Sequence, residues 1–203
     1  MLTEKEIIAR VLPYHCLWDP ATELPALFEA FEKTPASSFL EIGTFKGATT
    51  AAMALRFPEA KIFTLDLPAP EFSKFNPQPR HLTGIAYRDL HLLELGRITE
   101  VRLNSSDLGK LEGTFDLIFI DGDHTFNQAL SDIRLSQGKL NLGGVLVVHD
   151  YAEPGDELYQ AYCVDVHRAV ESFLAESDWS RQRLAGSLVQ LSPPAVDAVD
   201  ADI

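Results

Sequence analysis

Hydrophobic and polar positions along this chain follow two patterns: short unbroken apolar runs, and longer stretches with apolar residues at helical spacing. The runs read as buried strands and the stretches as helices. Runs fall at Ser38 to Ile42, Lys61 to Asp66, Thr99 to Leu103, Phe115 to Asp121 and Val145 to His149. Helical patterns separate them at Gly47 to Phe57, around His81 to Leu95, at Phe126 to Leu140 and from about Glu157 to Ala175. Strands without an exposed face, alternating with helices, predict a parallel, doubly wound α/β sheet. Two last runs, Trp179 to Leu184 and Leu188 to Leu191, predict an antiparallel hairpin around Gly186 and Ser187. The expected architecture is a Rossmann-like, mostly parallel seven-stranded sheet closed by that C-terminal hairpin.

The flanking segments read differently. Two amphipathic patterns, Glu4 to Leu12 and Glu23 to Phe31, surround the stretch Pro13 to Pro20 with its aromatics Tyr14 and Trp18. They predict an N-terminal helical segment, residues 1–36, packed on a core domain spanning 37–192. The tail 193–203 has two prolines among Ala, Val and Asp, so it has little to bury and is expected to be flexible. The stretch Leu67 to Arg80 carries Pro68, Pro70, Pro77 and Pro79 with Phe72 and Phe75, and fits neither helix nor strand. It reads either as a lid or substrate-facing loop, or as a surface excursion pinned by its phenylalanines.

Composition narrows the class of ligand. A chain of 203 residues fits one domain with a sizeable core. A formal charge of −13, with no sustained basic run, argues against a nucleic-acid partner and for a small molecule. Cys16 and Cys163 are too few for a disulfide framework and lack metal-ligand spacing, so they read as reduced thiols. No start segment joins a basic region to an apolar one, and no run approaches the length of a membrane span. The expectation is a cytoplasmic protein without a membrane partner, whose N-terminal helices could serve a homodimer as well as a core.

In a sheet of this kind ligands bind beyond the carboxyl ends of the strands. Here those ends are rich in acids: Glu41-Ile42-Gly43, Asp66, Asn104-Ser105-Ser106-Asp107, Asp121-Gly122-Asp123-His124 and His149-Asp150-Tyr151. The first is the sharpest signal. In Glu41-Ile42-Gly43-Thr44-Phe45-Lys46-Gly47 an apolar run ends in an acid and two glycines four apart, where a helix must begin. Gly43 would let the backbone approach a ligand and Gly47 would let the helix start against the strand. The stretch satisfies neither G-x-G-x-x-G nor G-x-x-x-x-G-K-[ST]. Asp66 follows at the interval of an acid that accepts from ribose hydroxyls, or it caps the turn before Pro68. Ser106 and Asp107 could contact an adenine or cap the turn that follows.

An acid followed by G-x-x-x-G resembles motif I of the class I S-adenosylmethionine-dependent methyltransferases. The segment Phe115 to Tyr151 is similar to the strand-helix-strand stretch of bacterial small-molecule O-methyltransferases, with Gly143-Gly144 as the turn before the second strand. With Asp66 included, the resemblance covers Ser37 to Tyr151. It implies methyl transfer from S-adenosylmethionine to an oxygen of a small molecule. Glu41, Gly43, Thr44 and Gly47 would shape the cofactor turn, Asp66 would bind ribose, and Ser106 or Asp107 would lie near adenine. Asp121 would border the cofactor and join His124 and His149 in the chemical centre.

Catechol and caffeoyl-CoA type members hold a divalent cation with an Asp after the fourth strand and an Asp-Asn pair after the fifth. The matching positions are Asp121, His149 and Asp150, so a His-Asp pair stands where the family has Asp-Asn. An imidazole ligand shifts preference from magnesium or calcium toward manganese, iron or zinc. Asp121, Asp123 and Asp150 would crowd charge that a divalent ion relieves. A metal-free alternative uses His124 or His149 as general base, and a third reading makes His124 a structural residue at the helix start. A nicotinamide-dependent oxidoreductase is disfavoured by the missing G-x-G-x-x-G, and a noncatalytic ligand-binding module stays open. Lys46 could reach a ligand carboxylate. His15, His81, His91 and His167 read as surface or packing residues. Tyr14, Trp18, Tyr151 and Tyr159 could line an aromatic acceptor pocket or pack in the core.

Overall fold

The central runs, Ser38–Ile42 and Phe115–Ile120, become strands with every residue buried, whereas the edge run Ile98–Arg102 is mostly exposed. In the computed structural model, which describes residues 2–14, 17, 19–68, 82–157, 159 and 162–194, β1 spans Ser38–Ile42, β2 Lys61–Asp66, β3 Ile98–Arg102, β4 Phe115–Ile120 and β5 Leu140–Val148. The hairpin follows as β6, Ser180–Arg183, and β7, Val189–Ser192. The seven strands lie in the order β3-β2-β1-β4-β5-β7-β6. Neighbours from β3 to β5 pair in parallel, and β7 joins β5 and β6 antiparallel. The expected Rossmann-like sheet is the one observed. Strand order reverses between β1 and β4, and the crevice beyond their carboxyl ends is where such sheets take ligands.

The helices are α1 (Glu4–Val11), α2 (Pro20–Glu32), α3 (Ala48–Arg56), α4 (Ile85–Asp89), α5 (Phe126–Gln137) and α6 (Tyr162–Ala175). Side-chain alternation along the strands divides the core into two layers. Phe39, Leu117, Phe119 and Val147 pack with α1, α2 and α3, while Leu40, Ile42, Ile118, Leu146 and Val148 pack with α5 and α6. Phe31 fastens α2 to this core through edge-to-face contacts with Phe39 and Phe57.

Local chemistry moves several boundaries. α2 begins at Pro20 rather than Glu23, because Asp19 caps it by accepting from the Ala21 N–H at 3.1 Å and proline suits the first helical position. Thr3 and Glu6 form a capping box on α1. The helix expected around His81 to Leu95 contracts to α4, which starts after Gly84 and gives way to turns before His91, at φ 56°. Gly143 and Gly144 lie inside β5 rather than in a turn before it. A bulge between the pairs Phe115↔Leu140 and Leu117↔Val145 absorbs them. α6 begins at Tyr162 rather than near Glu157. Of the sequence expectations, His15, Cys16, Trp18, His81, residues 69–80 of the proline-rich stretch and residues 195–203 of the tail lie outside the described residues. Among the described residues no helix is long and apolar enough to cross a membrane.

Candidate functional site

The glycine turn sits against the end of β4. The Gly43 N–H donates to the Leu65 carbonyl at 2.9 Å, and Gly43 adopts φ 99°. A Cβ at this position would lie 2.0 Å from the Asp121 carbonyl oxygen, so glycine is what lets the turn lean on Asp121. Gly47 precedes α3, and a Cβ there would run into the Tyr87 ring. Thr44 shares a 2.7 Å hydrogen bond with the Thr64 hydroxyl.

Glu41 supports this turn from the interior. Its carboxylate accepts from the Thr50 hydroxyl and, at 3.0 Å, from the Thr64 hydroxyl, joining α3 and β2 to β1. Burial pushes the carboxyl up to about 8, against the threonine hydrogen bonds and helped by the charges of Asp121 and Asp66. A carboxyl whose pKa is higher folded than unfolded stabilises the fold in its protonated form, and that contribution fades as pH rises from the ordinary 4.5 toward about 8. Glu41→Gln is therefore expected to flatten the pH dependence of unfolding free energy across this window. Denaturant titrations of both proteins at a series of pH values would show the two curves parallel if Glu41 were ionised in the fold.

Asp66 ends β2, where its Oδ1 accepts from the Leu67 N–H at 2.8 Å and its Oδ2 lies 4.0 Å from Arg102. Ser106 and Asp107 belong to the 3-10 segment Ser105–Lys110, which Asn104 caps by accepting from the Ser106 N–H. Asp107 pairs with Lys110 at 2.9 Å on an exposed surface.

The sheet then assembles an alternating chain of acids and imidazoles. Asp121 follows β4 and His149 follows β5, and their backbones extend the ladder through Asp121 N–H to Ile42 and His149 N–H to Ile120. His149 Nδ1 lies 3.1 Å from Asp121 Oδ1 and 3.3 Å from Asp150 Oδ2, while its Nε2 faces Glu23 Oε2 at 3.6 Å, an ion-pair rather than hydrogen-bond distance. A ring with a carboxylate at each nitrogen carries both protons. His124 Nε2 reaches Asp150 Oδ2 at 2.7 Å and Asp121 Oδ1 at 3.5 Å. Burial alone would lower the pKa of His124, but hydrogen bonds to Asp121 and Asp150 outweigh it and push the group up to about 9. Burial likewise opposes ionisation of Asp150, and its bonds to His124 and His149 hold it well below the carboxylate range nonetheless.

The donor set that converges on one point is Asp121, His124 and Asp150, with one ligand atom from each lying within 4.8 Å of the others. Two carboxylates and an imidazole suit manganese, iron or zinc. His149, placed by sequence with the two acids, is not part of this group. It lies beneath them, 3 % exposed, with both ring nitrogens turned to carboxylates, whereas the His124 side chain is 33 % exposed. Asp123 stays outside, accepting from the Thr125 N–H at 2.8 Å.

Two acids escaped the sequence reading. Glu23 is wholly buried under His149, and Asp132 is 1 % exposed on α5. Asp132 Oδ1 accepts from Gln128, whose amide also reaches the Ser105 hydroxyl at 3.0 Å, so α5 brackets the segment after β3. Burial pushes Asp132 up to about 6. Each acid occupies an apolar helix face, with Leu27 and Phe31 for Glu23 and Ala129 and Ile133 for Asp132, and that misplacement is the signal available in sequence. The aromatics are committed locally: Tyr14 donates to Asp89, Tyr151 is buried with its hydroxyl near Glu171, and Tyr159 packs on His167. Lys46 Nζ lies 5.5 Å from the Phe45 ring centroid.

A family model described as a methyltransferase domain matches residues 40–151. Among solved structures, the SAH-bound Podospora anserina methyltransferase PaMTH1 is 16 % identical, with a TM-score of 0.62 over 95 % of this chain and 88 % of that one. The O-methyltransferase from Bacillus cereus in complex with SAH is 17 % identical, with a TM-score of 0.62 over 91 % of this chain and 89 % of that one. At these identities the likeness establishes the fold. No curated protein matches the chain in sequence.

Proposed function

The chain belongs to the methyltransferase-domain family, and we propose that it transfers a methyl group from S-adenosylmethionine to an oxygen of a small molecule, assisted by a divalent cation. The observation that carries this reading is the convergence of Asp121, His124 and Asp150 at the strand ends, directly beside the turn that Gly43 presses onto Asp121. When bound, S-adenosylmethionine supplies an electrophilic methyl group on a sulfonium. The strand ends suit it: Asp66 for the ribose hydroxyls, the segment carrying Ser106 and Asp107 for the adenine, and the turn from Gly43 to Gly47 for the amino-acid end. Methyl transfer needs the attacking oxygen, carbon and sulfur nearly in line, so alignment is the main contribution of these residues.

A cation held by Asp121, Asp150 and the His124 imidazole would gather two acceptor oxygens and lower the pKa of the one that reacts. Below it, His149 keeps both carboxylates oriented through its Nδ1. The exposure of His124 favours one second reading, in which this imidazole itself takes the acceptor's hydroxyl proton and Asp150 balances the charge. Its raised pKa then sets the pH profile, because only the neutral ring accepts a proton: the metal-free rate would climb as pH rises through about 9. A chelator separates the two, abolishing turnover in the cation-assisted reading and leaving it intact in the other.

The experiment that tests the class is calorimetric titration of metal-stripped protein with S-adenosylmethionine, with and without Mn²⁺, and with NADH as control. Heat from the sulfonium cofactor alone is the expected result. Binding of NADH instead would move the chain to redox chemistry, and binding of neither would overturn the methyl-transfer reading.

A further inference from the structure

One buried acid beside the cluster of Asp121, His124 and Asp150 comes from outside the strand ends. Glu23 lies on α2, is 0 % exposed, and accepts from the Ser187 N–H at 2.7 Å and the Ser187 hydroxyl at 2.9 Å. The Asp19 N–H adds a third bond at 3.3 Å. A hydroxyl that donates to Glu23 has its lone pairs fixed in direction, and one of them receives the Asp150 N–H at 3.3 Å. The Ser187 carbonyl receives the next N–H, from Tyr151, at 2.9 Å. Between them these bonds grip the turn at which Asp150 sits at φ 58°.

A left-handed conformation at a residue other than glycine costs of order 1–3 kcal/mol and persists only where the surroundings impose it. At Asp150 it decides chemistry. The backbone of this residue has just left β5, where an extended continuation would alternate side chains between the two faces; with the left-handed turn the Asp150 carboxylate lies beside His149, His124 and Asp121 instead.

We propose that Glu23 is a positioning residue for the cation centre: by clamping Ser187 it holds the Asp150 turn in its left-handed form and so aims the Asp150 carboxylate at the point shared with Asp121 and His124. This rests on the cation-assisted reading above. Glu23 itself belongs neither to the proposed ligand set nor to the glycine turn. It acts on the Asp150 turn through Ser187, while its other oxygen faces His149 Nε2 at 3.6 Å, in the manner of outer-shell groups that orient metal ligands.

The test uses the full chain with Mn²⁺ alone as probe, free ion being followed by electron paramagnetic resonance and S-adenosylmethionine affinity by calorimetry. Glu23→Ala and Ser187→Ala are expected to weaken Mn²⁺ binding ~10-fold or more, while Glu23→Gln, which keeps an acceptor for Ser187 but sets an amide N–H toward the Asp19 N–H and His149, is expected to lose clearly less than Glu23→Ala. Cofactor affinity should hold in all three. Ser187→Ala deletes a single hydroxyl and carries the test if Glu23→Ala does not fold. Wild-type Mn²⁺ affinity in Ser187→Ala, or parallel losses of Mn²⁺ and cofactor affinity, would overturn the proposal while leaving the cation reading intact. A wild-type protein that binds S-adenosylmethionine but no Mn²⁺ would overturn both the cation reading and this inference, and leave methyl transfer standing.

Discussion

Gly43→Ala is expected to abolish cofactor binding and to lower the unfolding free energy by roughly 2–6 kcal/mol, the sum of overpacking and positive-φ strain. The added methyl would lie 2.0 Å from the Asp121 carbonyl oxygen and 2.6 Å from its carbon, both backbone atoms with no rotamer to yield. Relief requires the turn to lift off the end of β4, which strains the Gly43 N–H bond to Leu65 and separates the glycine turn from Asp121. For a domain whose whole stability is about 5–15 kcal/mol, the loss is a large fraction. Gly109 supplies the control, since a Cβ there meets nothing within 4 Å and its φ is not in the left-handed region. Unfolding free energies from denaturant titration should fall sharply for Gly43→Ala and hold within about 0.5 kcal/mol for Gly109→Ala. Equal unfolding free energies would mean that the turn does not rest on β4.

Asp121→Asn should weaken Mn²⁺ binding by ~100-fold or more, beyond the usual effect of outer-shell changes. This carboxylate sits where the cluster converges, 3.1 Å from His149 Nδ1 and 3.5 Å from His124 Nε2, and would contribute one of the ligand oxygens. The amide keeps an oxygen to accept from His149, and Asp150 and Glu23 still face that ring. The stability loss should therefore stay below the roughly 3–5 kcal/mol of a fully broken buried pair. Asp123→Asn, two residues on, removes a charge that accepts from the Thr125 N–H and lies outside the converging set, and Mn²⁺ affinity should barely move. Calorimetry with Mn²⁺ on both variants decides the matter: equal losses would mean that bulk negative charge, rather than the geometry around Asp121, attracts the ion.

The strands were legible because burial on both faces leaves an unbroken apolar run, and Ser38–Ile42 and Lys61–Asp66 fall where the pattern puts them. The strand-end acids were legible for the same reason, since a polar residue that stops such a run marks its end. Beyond the last strand residue, sequence loses the direction of each side chain. His149 and Asp150 are adjacent, yet one points under the sheet end and the other, through a positive φ, points back over it. His124 rather than His149 therefore stands in the cluster that could take an ion. Glu23 was hidden for a different reason: its partners lie across the molecule, and an amphipathic helix records which face is buried but not what it meets.

The Glu23 to Ser187 hydrogen bond joins residues 164 positions apart in the chain. Contacts of such separation close late, because the entropy of a large loop must be overcome before they form. During synthesis β1 to β4 can pair while the segment carrying Ser187 is still unmade. The Asp150 turn therefore lacks its clamp until nearly the whole chain has emerged. A nascent or truncated chain ending before the final hairpin could retain much of the sheet and still lack the serine that bonds the Asp150 N–H, so order of assembly would itself leave the proposed cation centre unformed on an unfinished molecule.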